Sequence, residues 1–183
     1  MELSARRTIY LQVLTANRPG NTAKAKWADI DMQNAIWTIK SIDMKMKEEH
    51  KVALSSYALT VLKEQYIYSH NSEFVFPSII SKDGHIQHDT ISKAIRNLGD
   101  TNKYKDAVTA HGFRATFKTL CSLNYAELLQ MGITEKNIEA ALAHKENDDV
   151  KFAYEREKAR EQAQQKLMQW YGDYLNSLES FPF

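Results

Sequence analysis

Cysteine is almost missing from this sequence, and the scarcity limits what the chain can be. Cys121 is the only thiol among 183 residues, so no internal disulfide can form, and a reducing compartment such as the cytoplasm is expected. Long apolar runs are missing too. No stretch approaches the roughly 18 residues that a membrane-spanning helix needs, and no secretory leader pattern opens the sequence. An excess of charge of one sign is also lacking. Twenty-four Lys and Arg face 23 Asp and Glu, for a formal net charge of +1. Free-standing nucleic-acid binders usually carry a clear basic excess. A polyanionic partner must therefore be argued from where the cations sit. Internal repeats and low-complexity tracts are absent, which leaves out solenoids and biased linkers.

What remains is an ordinary globular composition. Hydrophobic residues make up 43% and charged residues 26%, enough for one sizeable core in a single domain over residues 1–183. The opening MELSARRTIYLQVLT is already helical in pattern, which fits either a true start or a piece cut from a longer protein. Ile9, Val13 and Leu14 follow helical spacing until Pro19 and Gly20 punctuate TANRPG. A short helix is expected around NTAKAKWADI. Ile36 and Thr38 then alternate with Trp37 and Ile39, and HKVAL follows the charged turn KMKEE, so a small antiparallel sheet is predicted.

Ser55 is placed to cap a helix that carries Leu59, Leu62 and Tyr66. The region SHNSEFVFPSIISKDGHIQHD reads as loop, with turns at Pro77 and Asp83-Gly84. Asp89 can cap a helix through TISKAIRNL that Gly99 would close. Helical patterns resume at HGFRATFKTLCS, TEKNIEAALAH and NDDVKFAYER. Over residues 155–178, Ala163, Leu167, Trp170, Tyr171 and Tyr174 share one face of an amphipathic helix. That face could pack on the domain's own core or dock onto a neighbouring copy. The fold class expected is mainly α with a small antiparallel β-sheet (α+β).

Four separated pieces hold residues suited to chemistry. Arg18 lies in the turn TANRPGN, and Lys45 in MKMK between the strand-like pieces. His111 and Arg114 lie in HGFR, one helical turn apart. His144 and Tyr154 stand ten residues apart in ALAHKENDDVKFAYER. Taken singly, each has a plainer use. Arg18 suits a solvated surface, and Lys45 suits a turn. His111 and Arg114 could simply begin a helix, and His144 could interact with the end of the helix before it. Tyr154 could be half-buried in a core.

Taken together they describe a site for phosphoryl transfer. That chemistry is catalysed by positioning and by cations aimed at developing charge. Arginine's planar fork meets two phosphate oxygens at once. A tyrosine hydroxyl, with an unperturbed pKa of about 10, becomes a useful nucleophile when cations or a base favour the phenolate. A lysine or histidine can protonate the leaving oxygen.

These pieces resemble the boxes of the tyrosine recombinases, especially the prophage integrases of the satellite-phage type. TANRPGN looks like the family's first-arginine box, MKMKEEHKVALS like its lysine hairpin, and HGFRATF like its His-x-x-Arg box. ALAHKENDDVKFAYER resembles its nucleophile segment, and QQKLMQWYGDYL its closing helix. Five boxes in order span almost the whole chain.

The resemblance implies the fold of that family's catalytic core, acting on double-stranded DNA at attachment sites with no metal and no cofactor. Arg18, Arg114 and His144 would hold the scissile phosphate, and His111 would serve as acid or base. Lys45 would protonate the 5′ oxygen, and Tyr154 would become bonded to the 3′ phosphate. The family's acidic residue three positions after the first arginine is Asn21 here, and its hairpin proline is Ala53. Lys47 would face as Lys45 does if both lay on a strand.

As a catalytic domain cut from a longer integrase, the chain would be a monomer alone and a homotetramer in the synapse. It would work on the bacterial chromosome in the cytoplasm, away from membranes, with an excision factor joining the full-length protein. Two other readings stay open. One is a type IB topoisomerase-like enzyme, against which the HGFRATF and MQWYGDYL surroundings speak. The other is a non-catalytic or decayed DNA-binding module, which Asn21 keeps in play.

Overall fold

The computed structural model describes residues 3–44, 47–97, 104, 107–144 and 153–182, with residues 153–158 described by their backbone alone. Helix α1 (Leu3–Thr15) runs through the middle, with Leu11 and Leu14 fully buried, and packs against most of the other long helices. It ends at Ala16, whose left-handed φ of 48° turns the chain. Arg18 is extended, and Pro19 then opens the short α2 (Pro19–Ala23). Proline suits that first position because its φ is preset and its missing N–H is not needed there. The short helix expected after the turn is thus present, but it starts earlier and ends sooner.

The sheet has three antiparallel strands in the order β1 (Ile30–Asp31), β2 (Ile36–Ile39), β3 (His50–Ala53). Ile36 pairs with Ala53 and Ile39 with His50. Trp37 and Ile39 face the core, as the alternation predicts. Strand β1 is an addition that two residues could not announce.

Ser55 caps α3 (Ser56–Ser69) by accepting the Ala58 N–H at 3.3 Å. The buried face is set by Ala58, Val61, Leu62 and Gln65, whereas Tyr66 is half exposed and meets Trp27 edge-on. Helix α4 (His88–Arg96) begins one residue before the expected cap. Asp89 therefore lies inside the first turn and pairs with Lys93 at 2.8 Å, an i,i+4 partner that competes with capping. Gly99 lies outside the described residues.

The remaining helices are α5 (Gly112–Leu123), α6 (Tyr125–Gln130), α7 (Glu135–Ala141) and α8 (Ala153–Leu178). Helix α6 was not expected. It ends at Gly132, whose φ of +78° lets Ile133 N–H reach back to the Leu128 carbonyl at 2.9 Å. Helix α8 covers its apolar face on this same domain. Leu167 and Tyr171 are fully buried, and Tyr171 meets Phe117 of α5 edge-on at 4.8 Å.

Polar bonds fix α8 in register. Gln164 donates to the Asn137 carbonyl at 2.6 Å, Trp170 donates to Glu127 at 3.1 Å, and Gln169 accepts from the Ser56 N–H at 2.8 Å. Burying Leu167 and Tyr171 stabilises the docked helix by about 1.5–3 kcal/mol per side chain. The face that the sequence left to either use therefore belongs to the domain's own core. Among the described residues, no helix is long and apolar enough to cross a membrane.

Candidate active site

Arg114 is the most constrained of the candidate residues. It is 7% exposed on the first turn of α5, yet no carboxylate pairs with it among the described residues. Its Nη1 donates to the Ala16 carbonyl at 2.9 Å and its Nη2 to the Leu142 carbonyl at 2.6 Å. Those carbonyls stand at the C-terminal ends of α1 and α7, where unpaired carbonyls carry roughly half a negative charge. Two helix ends thus do the work of a counter-ion. Burial, and then the nearby Arg18 charge, lower the Arg114 pKa to about 10, which leaves it charged at neutral pH.

Arg114 also gathers the sequence boxes. Ala16 is two residues before Arg18, and Leu142 is two residues before His144. Both neighbouring turns are left-handed, at Ala16 and at Ala143 with φ of 52°. Arg18 itself is partly exposed and has no side-chain hydrogen bond or ion pair among the described residues.

The Arg18 turn is held from inside by a residue that the sequence reading missed. Gln12 is fully buried. Its Nε2 donates to the Asn17 carbonyl at 2.5 Å and to the Ala110 carbonyl at 3.3 Å, and its Oε1 accepts from Thr22 Oγ1 at 2.6 Å. One amide thus ties the Arg18 turn to the residue before His111. The available signal was a set of polar residues, Thr8, Gln12 and Thr15, at helical spacing beside apolar ones.

Asn21 is buried, but its amide donates to Met44 Sδ at 3.4 Å. It braces the foot of the hairpin, aided by the Lys24–Asp43 ion pair at 3.5 Å. Lys45 lies outside the described residues. Lys47 does not lie on a strand: it sits in a bend with φ of 54°, and its N–H reaches Met44 O at 3.0 Å. Lys47 therefore has no strand face to share.

Three histidines differ in setting. His111 is exposed at the start of α5, although Arg114 one turn later is buried. His144 follows α7, its N–H bonded to the Glu139 carbonyl at 3.0 Å and its Nδ1 to the Glu139 carboxylate. These contacts match the plainer reading, an interaction with the end of its helix. His50, not foreseen, stands at the start of β3 with Nε2 buried and without a partner among the described residues. Burial lowers its pKa to about 4; the Ala141 backbone opposes this, and the charges of Arg114, Arg18 and Arg160 add to it. It is a neutral ring in a cationic neighbourhood.

Tyr154 lies in the first turn of α8, where the backbone alone is described. Among the described residues, no group of three or more His, Cys, Asp or Glu is placed to hold a metal ion. What the described part offers is two arginines without carboxylate partners. Such a pair suits an anion that can meet two guanidinium groups.

Residues 1–161 match the sequence model of the phage integrase family. The chain belongs to that family. Among integrase relatives, prophage integrase IntA of Escherichia coli strain K12 is 33% identical over 180 residues, covering 98% of this chain and 41% of the relative. The integrase of Enterobacteria phage P4 is 30% identical over 185 residues, covering 93% of this chain and 40% of the relative. The chain thus spans about two fifths of the length of these curated relatives. An integrase from mycobacterium phage Brujita shares the fold, with a TM-score of 0.65 and 16% identity over 92% of this chain and 52% of that one. A XerA recombinase matches with a TM-score of 0.57 and 19% identity, over 98% and 62% respectively. At those identities the likeness speaks for the fold alone. It agrees with the mainly helical architecture and small antiparallel sheet expected from the sequence.

Proposed function

We propose that this chain is the catalytic part of a site-specific DNA recombinase that cuts and rejoins strands through a phosphotyrosine at Tyr154. Arg18 and Arg114 hold the non-bridging oxygens of the scissile phosphate, and His144 donates a further hydrogen bond. The phenol oxygen of Tyr154 bonds to phosphorus as the bond to the 5′ oxygen breaks. The phenol proton passes to His111, and Lys45 protonates the leaving oxygen. Asn21, which donates to Met44 Sδ, is a candidate support of the site, and Lys47 is the alternative donor. A free 5′ hydroxyl then reverses the step on a new strand. The phosphotyrosine keeps the bond energy, so neither ATP nor a metal takes part.

The observation that carries this reading is the state of Arg114. A guanidinium has five N–H donors, and the two helix ends take two of them. The other three, with Arg18 nearby and without a side-chain partner among the described residues, suit a phosphodiester. Double-stranded attachment-site DNA is the partner, with a homotetramer in the synapse, a monomer alone, and an excision factor on the longer protein. With a net charge of only +1, the isolated domain binds DNA feebly and with steep salt dependence.

A nicked substrate that loses its leaving strand tests the proposal. The parent chain accumulates a covalent protein–DNA adduct, and Tyr154→Phe accumulates none. Site binding by the parent chain without any adduct would favour the non-catalytic module instead.

A further inference from the structure

Glu139 uses both carboxylate oxygens. Oε1 accepts from Lys118 Nζ at 2.6 Å, and Oε2 meets His144 Nδ1. Its backbone carbonyl also holds the His144 N–H at 3.0 Å. Lys118 lies on α5, one turn after Arg114. Helices α5 and α7 are therefore joined twice, by Arg114 with Leu142 just past the end of α7 and by Lys118 with Glu139. The Lys118 hydrogen bond is the main reason that the Glu139 pKa is lowered, so the carboxylate is ionised at neutral pH. Glu135 adds a further negative charge near Lys118.

An ionised carboxylate can only accept, so the nitrogen facing it must carry the proton. We propose that Glu139 is a positioning residue that keeps the His144 proton on Nδ1 and so presents Nε2 to the DNA. This deepens the reading of His144 given above and rests on it. In this tautomer the neutral ring offers an Nε2 lone pair that can take a proton. Once charged, it offers an Nε2–H to a phosphate oxygen while Nδ1 stays on Glu139. Lys118 fixes the carboxylate with a second charge-assisted bond, so the ring plane is set by two helices.

The test combines tautomer and turnover on the full 183-residue chain. Nitrogen-15 NMR in mildly alkaline buffer should find His144 protonated at Nδ1 in the parent. Glu139→Ala should lose that tautomer, whereas Glu139→Gln, whose amide oxygen still accepts, should keep it. Adduct formation on the nicked substrate should fall about 10-fold or more in Glu139→Ala, with partial rescue in Glu139→Gln. Lys118→Met should fall between them. A parent ring protonated at Nε2 overturns the proposal, as does an unchanged tautomer or unchanged rate in Glu139→Ala. If the parent forms no adduct, the recombinase reading fails while the tautomer still decides the role of Glu139.

Discussion

The guanidinium of Arg114 donates to the Leu142 carbonyl at 2.6 Å, joining the helix that starts at Gly112 to the end of the helix before His144. Lysine has one compact ammonium and cannot span that carbonyl and Ala16 together. Arg114→Lys should therefore cost stability as well as phosphate binding. The expected loss is about 1.5–3 kcal/mol in urea unfolding, the value of a hydrogen bond to a charged group, with no adduct. An unchanged midpoint would mean that the helix ends do not need the fork.

Gln12 makes a similar connection inside the Arg18 turn. Gln12→Leu keeps the volume but leaves the Asn17 carbonyl and the Thr22 hydroxyl without their partner. Each such buried group costs about 1–3 kcal/mol. The variant should unfold more readily, and, where still folded, it should form adduct more slowly than the parent. Full activity in the folded variant would remove Gln12 from the account.

His50 gives the fold a pH dependence with a definite sign. Its pKa falls from 6.5 to about 4 on folding, chiefly by burial. Between those values the unfolded chain binds a proton that the folded chain refuses. The contribution is therefore intact above pH 6.5 and is lost as pH falls towards 4. His50→Phe should flatten the decline of Tm across that interval. Parallel Tm profiles for parent and variant would place the acid sensitivity elsewhere.

Gly172 tests the seat of α8. A Cβ there would stand 2.8 Å from Tyr57 Cδ2 and 3.1 Å from Ser55 Oγ. Gly172→Ala should destabilise the domain by about 1–3 kcal/mol through overpacking. Removing the residues after Gly172 should do more, because Leu175 and Phe181 pack on the core cluster that contains Leu11 and Leu62. If truncation left Tm unchanged and impaired only assembly, α8 would belong to a neighbouring copy after all.

Much of this was legible because it is local. Alternation at Ile36–Ile39, the Ser55 cap and each box taken singly need only a few adjacent residues. What escaped depends on partners far along the chain. Gln12 and Ala110 are 98 residues apart, as are Arg114 and Ala16. Periodicity marks Gln12 as buried but cannot say what it holds. The sequence read His144 against the end of its helix, but not against Lys118 through Glu139. Asp89 misled because an acidic residue near a helix start serves either as a cap or as an i,i+4 partner, and Lys93 decides for the latter.

Tyr154 is proposed as the nucleophile that attacks a phosphate held by Arg18 and Arg114. Digesting the trapped adduct and sequencing its peptides by mass spectrometry tests this most directly. One modified peptide is expected, carrying nucleotide on Tyr154 through a 3′ phosphate and missing in Arg114→Lys. Nucleotide on another residue, or cleaved DNA with no bonded protein, would contradict it.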